Sequence, residues 1–130
     1  MKDHIELKET FSVKADVIYK AWLDSEEHTL MTGGGALCSD KENGEFTAWD
    51  GYISGHNKSL IENKRIVQSW RTTEFEETDN DSELIIELIE TKEGCELNLI
   101  HSAIPRGQSN YEQGWIDHYF IPMKAYFNDK

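Results

Sequence analysis

Apolar residues change their spacing along the chain, and each change marks an element. Residues 4–13, HIELKETFSV, mix alternating and β-branched positions and predict a first strand. In KADVIYKAWLD, Val17, Ile18, Ala21 and Trp22 recur at helical spacing, with Ser12 as the expected N-cap. A second short helix, SEEHTLM, is expected to start from a Ser25 cap and to stop at TGGG, because successive glycines cannot sustain it. From there the period falls to two. Strands are expected near 35–39, 45–50, 52–61, 65–72, 82–90 and 95–102, separated by turn-forming stretches such as DKENG, ENK and TKEG, which together make an antiparallel meander.

The last segment, 110–128, returns to helical spacing, with Ser109 or Asn110 as its expected cap. At 100° per residue, Trp115, Ile116, Tyr119, Phe120, Pro122, Met123, Tyr126 and Phe127 span an arc of about 160°, wider than the roughly 100° stripe of an ordinary surface helix. The strand faces say what so broad a face covers. Leu84, Ile86 and Leu88 share one side of SELIIELIE, and Leu97, Leu99 and His101 share one side of CELNLIH. The apolar face of a sheet of about six strands needs a cover, and the final helix is broad enough to supply it. Pro122 cannot donate to the carbonyl of His118, so a kink is expected there; a bent helix over a curved sheet readily leaves a cavity.

Composition narrows the partners. With 130 residues and 38% hydrophobic content, one core and a single domain over 1–130 are expected. A net charge of −12 would repel nucleic-acid phosphates and anionic lipid heads, which disfavours both as partners. The chain shows no spanning run and no apolar signal core, and a cytoplasmic location is expected. Cys38 and Cys95 stand in no metal-binding or CxxC spacing and read as reduced thiols.

The blocks GEFTAWDGYISGHNKSLIENKRIVQSWR (44–71), DSELIIEL, LIHSAIP and GWIDHYFIPMKAYF, in that order after FSVKADVIYKAW, resemble the family of activator of heat shock protein 90 ATPase homologues, within the START-like (SRPBCC, Bet v 1-like) superfamily. The resemblance covers nearly the whole chain. It implies an α+β helix-grip fold: a curved antiparallel sheet of about six strands wrapped around a long C-terminal helix, with two short helices after the first strand. It further implies that the space between sheet and helix can receive an apolar small molecule. In the eukaryotic activators this domain follows an N-terminal domain and assists docking on the chaperone. The present sequence starts directly at the first strand, so the expectation is that chaperone activation is not its main role.

Candidate chemistry is sparse. His4, His28, His56 and His118 form no HExxH or i, i+4 pair, and no metal or cofactor is expected. MTGGGAL follows a helix and precedes a strand, the reverse of a phosphate loop, and reads as a loop at a cavity mouth. The carboxylates cluster in solvated turns, and Ser54, Ser59 and Ser69 lie in strands outside any GxSxG elbow; no enzyme is expected. Trp22, Phe46, Trp49, Trp70, Trp115 and Tyr119 are the stronger signal, either as core packing or as the lining of a wide space. Ile53, Leu84, Ile86, Leu99 and Met123 complete the expected lining. His101 and Asn57 are its polar groups: each either orients a ligand or is satisfied within the protein. The expected function is non-catalytic binding of a small hydrophobic or amphipathic molecule. The alternative is a co-chaperone-like module docking on a heat shock protein 90 homologue.

Overall fold

A computed structural model of the protein describes residues 3–105 and 111–128. The first strand, β1 (Asp3–Phe11), leads into two short helices, α1 (Ala15–Leu23) and α2 (Ser25–Thr32). Five more strands follow: β2 (Glu45–Ala48), β3 (Ile53–Ile61), β4 (Arg65–Thr72), β5 (Ser82–Thr91) and β6 (Gly94–Ile104). They form one antiparallel six-stranded sheet in the order β1-β6-β5-β4-β3-β2. Every pairing except β1 with β6 joins strands adjacent in sequence, as short turns require.

The C-terminal helix is built from α3 (Tyr111–Trp115), a π-turn over Ile116–Phe120, and α4 (Ile121–Asn128). Opposed pairs Leu84–His101, Ile86–Leu99 and Leu88–Leu97 line the covered sheet face, all buried. Trp115, Tyr119, Met123 and Phe127 of the helix join them in one core with Leu84, Ile86, Leu97 and Leu99. Phe127 closes the far end against Phe11, ring centroids 6.0 Å apart. On the opposite face Ile89 is about half exposed, so the alternation expected from the sequence is present.

Local departures from the sequence expectations have physical causes. The first helix starts at Ala15 with Lys14 in the N-cap position, two residues later than a Ser12 cap would place it, and Lys14 makes no capping bond. Asp24, not Ser25, caps α2, its carboxylate accepting the Glu27 N–H at 2.9 Å. Ser25 is engaged elsewhere. Its hydroxyl accepts the Cys38 N–H at 2.8 Å, while Thr29 Oγ1 accepts the Ala36 N–H at 2.9 Å. The 35–39 segment therefore commits alternate N–H groups to α2 and pairs with β2 as an isolated Leu37–Thr47 bridge, instead of forming the expected strand. Strand β2 ends at Ala48 because Trp49, Asp50 and Gly51 all take positive φ values (52°, 58° and 92°) and turn the chain. The expected Ser109 or Asn110 cap lies outside the described residues.

Pro122 is accommodated by the π-turn directly before it. The Ile121 N–H bonds the carbonyl of Ile116, five residues back, so the turn widens where the proline removes a donor.

The cap assignment is open to a stability test. Asp24→Ala should cost about 0.5–2 kcal/mol in urea unfolding, the usual worth of an N-cap. A loss near zero would show that α2 is held by its tertiary contacts alone.

Candidate functional site

Between the C-terminal helix and the β2–β4 end of the sheet lies a pocket of about 320 Å³, partly open to solvent. Trp49, Tyr52, Ile53 and Trp70 form its sheet side; Tyr111, Gly114, Trp115, His118 and Tyr119 form its helix side. Positions 111, 115, 118 and 119 follow the i, i+4, i+7, i+8 spacing of one helix face, which explains why this helix supplies so continuous a wall. The wall is almost entirely aromatic. Trp115 lies 4.8 Å from Tyr119 and 5.5 Å from Trp70, while Trp49 meets His118 at 5.4 Å, centroid to centroid.

Trp115, Tyr119, Tyr111 and Tyr52 each carry a polar atom that the protein ties down elsewhere. Trp115 Nε1 donates to His101 Nδ1 at 3.1 Å. His101 must then carry its proton on Nε2, which donates to Ser82 Oγ at 2.8 Å, while the Ser82 hydroxyl donates to the Trp70 carbonyl at 2.6 Å. This chain of bonds runs in one direction. It also removes any Ser–His nucleophile, because the histidine nitrogen facing the serine is a donor and not a base.

A second buried histidine does the same for Tyr119, the next residue along this helix face. His28 Nδ1 faces the Trp22 carbonyl at 2.8 Å and must donate, which leaves Nε2 to accept the Tyr119 hydroxyl, also at 2.8 Å. Tyr111 pairs with Thr72 Oγ1 at 2.7 Å, and the Tyr52 hydroxyl donates to Glu74. Burial raises the pKa of Tyr119, Tyr52 and Tyr111 above the usual phenol value, so all three remain neutral. Burial pushes His101 down to about 3 and lowers His28 as well.

The residues expected from the sequence divide into two groups. Trp49, Ile53, Trp70, Trp115 and Tyr119 line the pocket. Trp22 does not; it stands behind the wall, 5.1 Å from Tyr119 and 6.4 Å from Trp115. Phe46, Leu84, Ile86, Leu99 and Met123 pack in the core instead. His101 and Asn57, expected as ligand-facing polar groups, are both fully buried and satisfied within the protein. Asn57 donates to the Ser39 and Lys41 carbonyls and accepts from Gln68, each at 2.9 Å, and so fastens the 39–44 loop to the sheet.

Sequence reasoning missed Tyr52, Tyr111, Gly114 and His118. The available signals were the Tyr111–Trp115–His118 spacing and a glycine inside a helical run, which is tolerated only at a cost of about 1 kcal/mol against alanine. TGGG, expected at the mouth, does not line the pocket and meets it only through Trp49. A Cβ on Gly34 would lie 2.3 Å from the Trp49 ring, so only glycine lets that indole approach the loop so closely. Trp49 is held there at a real cost, since it is a bulky residue at φ 52° and its buried Nε1 finds no acceptor. Among the described residues no cluster of metal-ligating side chains occurs, and no helix is long and apolar enough to cross a membrane.

A six-stranded antiparallel sheet gripping a C-terminal helix, with an aromatic pocket between them, defines a helix-grip protein of the START-like type. Residues 12–128 match the model of the Activator of Hsp90 ATPase homolog 1-like protein family, and the chain belongs to that family. It is 28% identical over 124 residues to the human activator of 90 kDa heat shock protein ATPase homolog 1, covering 95% of this chain but 36% of that protein. The chain thus spans about a third of the length of the curated relatives it matches. Among solved structures it resembles an HSP90 activator from Plasmodium falciparum, with a TM-score of 0.84, 24% identity and coverage of 98% of this chain and 96% of that one. The Aha1 dimer from Colwellia psychrerythraea shares the fold at a TM-score of 0.82 and 12% identity, with 96% of each chain covered.

The buried histidines make stability pH-dependent in a defined direction. The unfolded chain protonates its histidines near pH 6.5, whereas His101 stays neutral until about pH 3. Above pH 6.5 neither state is protonated and the group contributes nothing; below it the unfolded state binds the extra proton, and stability falls by about 1.4 kcal/mol per pH unit down to about 3. His28 acts in the same direction. Urea midpoints at pH 7 and pH 5 should show the loss, and His101→Gln should shrink it. An unchanged slope in that variant would place the acid sensitivity elsewhere.

Proposed function

We propose that this chain binds a small hydrophobic or amphipathic molecule in the pocket between the sheet and the C-terminal helix, and that it does so without catalysis. The observation that carries this reading is the orientation of the wall. Tyr119, Tyr111, Tyr52 and Trp115 all bond their polar atoms to the protein, so an open space of about 320 Å³ is faced with ring surfaces. Apolar area removed from water there is worth about 25 cal/mol per Å². Pockets of this kind are usually lined by apolar and aromatic groups with a few polar ones for orientation. His118, exposed at the edge of the wall, is positioned to meet the polar end of an amphipathic ligand.

A second reading is favoured by a different observation, membership of the activator family over residues 12–128. On that reading the chain docks on a heat shock protein 90 homologue as a co-chaperone-like module. The two readings are separable. A ligand present at 100 times its Kd should stabilise the fold by about 2.7 kcal/mol, so a thermal-shift screen of lipids, sterol-like and aromatic compounds is expected to give stabilisers. Submicromolar binding to a purified heat shock protein 90 homologue at physiological salt, with stimulated ATPase and no stabilising compound, would put the docking reading first.

A further inference from the structure

We infer that the pocket takes a flat, two-ring aromatic molecule, and that Gly114 sets this size. The inference rests on the ligand-binding reading and narrows it. A dry apolar cavity of about 150 Å³, engineered in another protein, accepts one benzene ring. The present pocket, about 320 Å³, is roughly twice as large. Two fused rings match that space, whereas the body of a sterol or a long acyl chain would extend well beyond it.

Shape and polarity agree with volume. The wall offers rings at several tilts: Trp115 is inclined 41° to Trp70 and 55° to Tyr119, and Trp49 stands 68° from His118. Faces and edges are therefore both presented, which is how aromatic groups pack best around another ring. The hydroxyls of Tyr119 and Tyr111 and the indole N–H of Trp115 are already bonded to His28, Thr72 and His101, so the inner wall asks for an apolar body. A single polar substituent is best left at the mouth, beside the exposed His118.

Gly114 supplies the second ring's room. It lies in α3 and lines the pocket, and a Cβ built on it meets none of the described residues within 4 Å. Any larger side chain there would project into the open space while improving the helix, so replacing this glycine closes the pocket without weakening the fold.

The test uses the whole chain with indole and 2-naphthol as two-ring probes and with cholesterol and palmitate as larger ones. Binding is followed by thermal shift and by the indole N–H resonances of the four tryptophans. The two-ring probes should raise the melting temperature and move the resonances of Trp49, Trp70 and Trp115 more than that of Trp22, which stands behind the wall. Gly114→Leu should melt no lower than the parent protein and bind 2-naphthol at least about tenfold more weakly, a loss of about 1.4 kcal/mol. Stabilisation by cholesterol or palmitate but not by the two-ring probes overturns the size inference and leaves the ligand reading standing. If none of the four binds, both fall. A folded Gly114→Leu protein that binds 2-naphthol as the parent does overturns the assignment of this pocket as its site.

Discussion

The hydrogen bond from Trp115 to His101 is the contact on which most of this architecture turns. It joins the first segment of the C-terminal helix to the sixth strand and fixes the histidine tautomer. It also turns the indole so that a face, not an N–H, borders the pocket. His28 repeats the arrangement with Tyr119. Two neutral histidines thus act as acceptors behind the wall, and an apolar surface is made from side chains that are chemically amphipathic. Burying such groups is tolerable only because each donor has its partner, since an unmet buried donor costs about 1–3 kcal/mol.

The same bonds link stability to the state of the pocket. Trp115 and Tyr119 stand in both the core and the lining, so the helix cannot be loosened from the sheet without disturbing the wall. Trp49 differs. It rides on a left-handed turn, packs close against Gly34 and leaves its own N–H without an acceptor. Unfavourable backbone and an unmet donor in one residue at the mouth are the kind of local cost that folds retain where function requires a particular surface.

Much of the fold was legible in the sequence because it depends on periodicity. The alternation in 82–102 and the helical face at 110–128 both reflect burial, and burial is what hydrophobic spacing records. Partner choice left no such trace. His28 meets Tyr119 across 91 positions, His101 meets Ser82 across 19, and Asn57 meets Gln68 across 11. No local pattern marks these pairs, so the sequence left open whether His101 and Asn57 faced a ligand or the protein. The aromatic residues posed the converse difficulty. Trp22 and Trp70 look alike as letters, yet one backs the wall and the other forms it. At 35–39 the β-like pattern was real, but hydroxyls of α2 claimed the backbone donors first.

The π-turn also settles a question of phase. Trp115, Tyr119, Met123 and Phe127 are spaced by four, and at 100° per residue each step overshoots a full turn by about 40°, so the row would wind off the sheet by about 120° from end to end. That drift is what spread the helical face so widely when it was plotted as a regular helix. Closing one turn over five residues under-winds the helix midway and recovers some of the lost angle, so that Phe127 can reach Phe11 while Trp115 still reaches His101. Restoring ordinary winding over 116–120 with every residue retained would swing one half of the helix by about 100° against the other. The chain could then seat either the pocket wall or the distal core on the sheet, but not both.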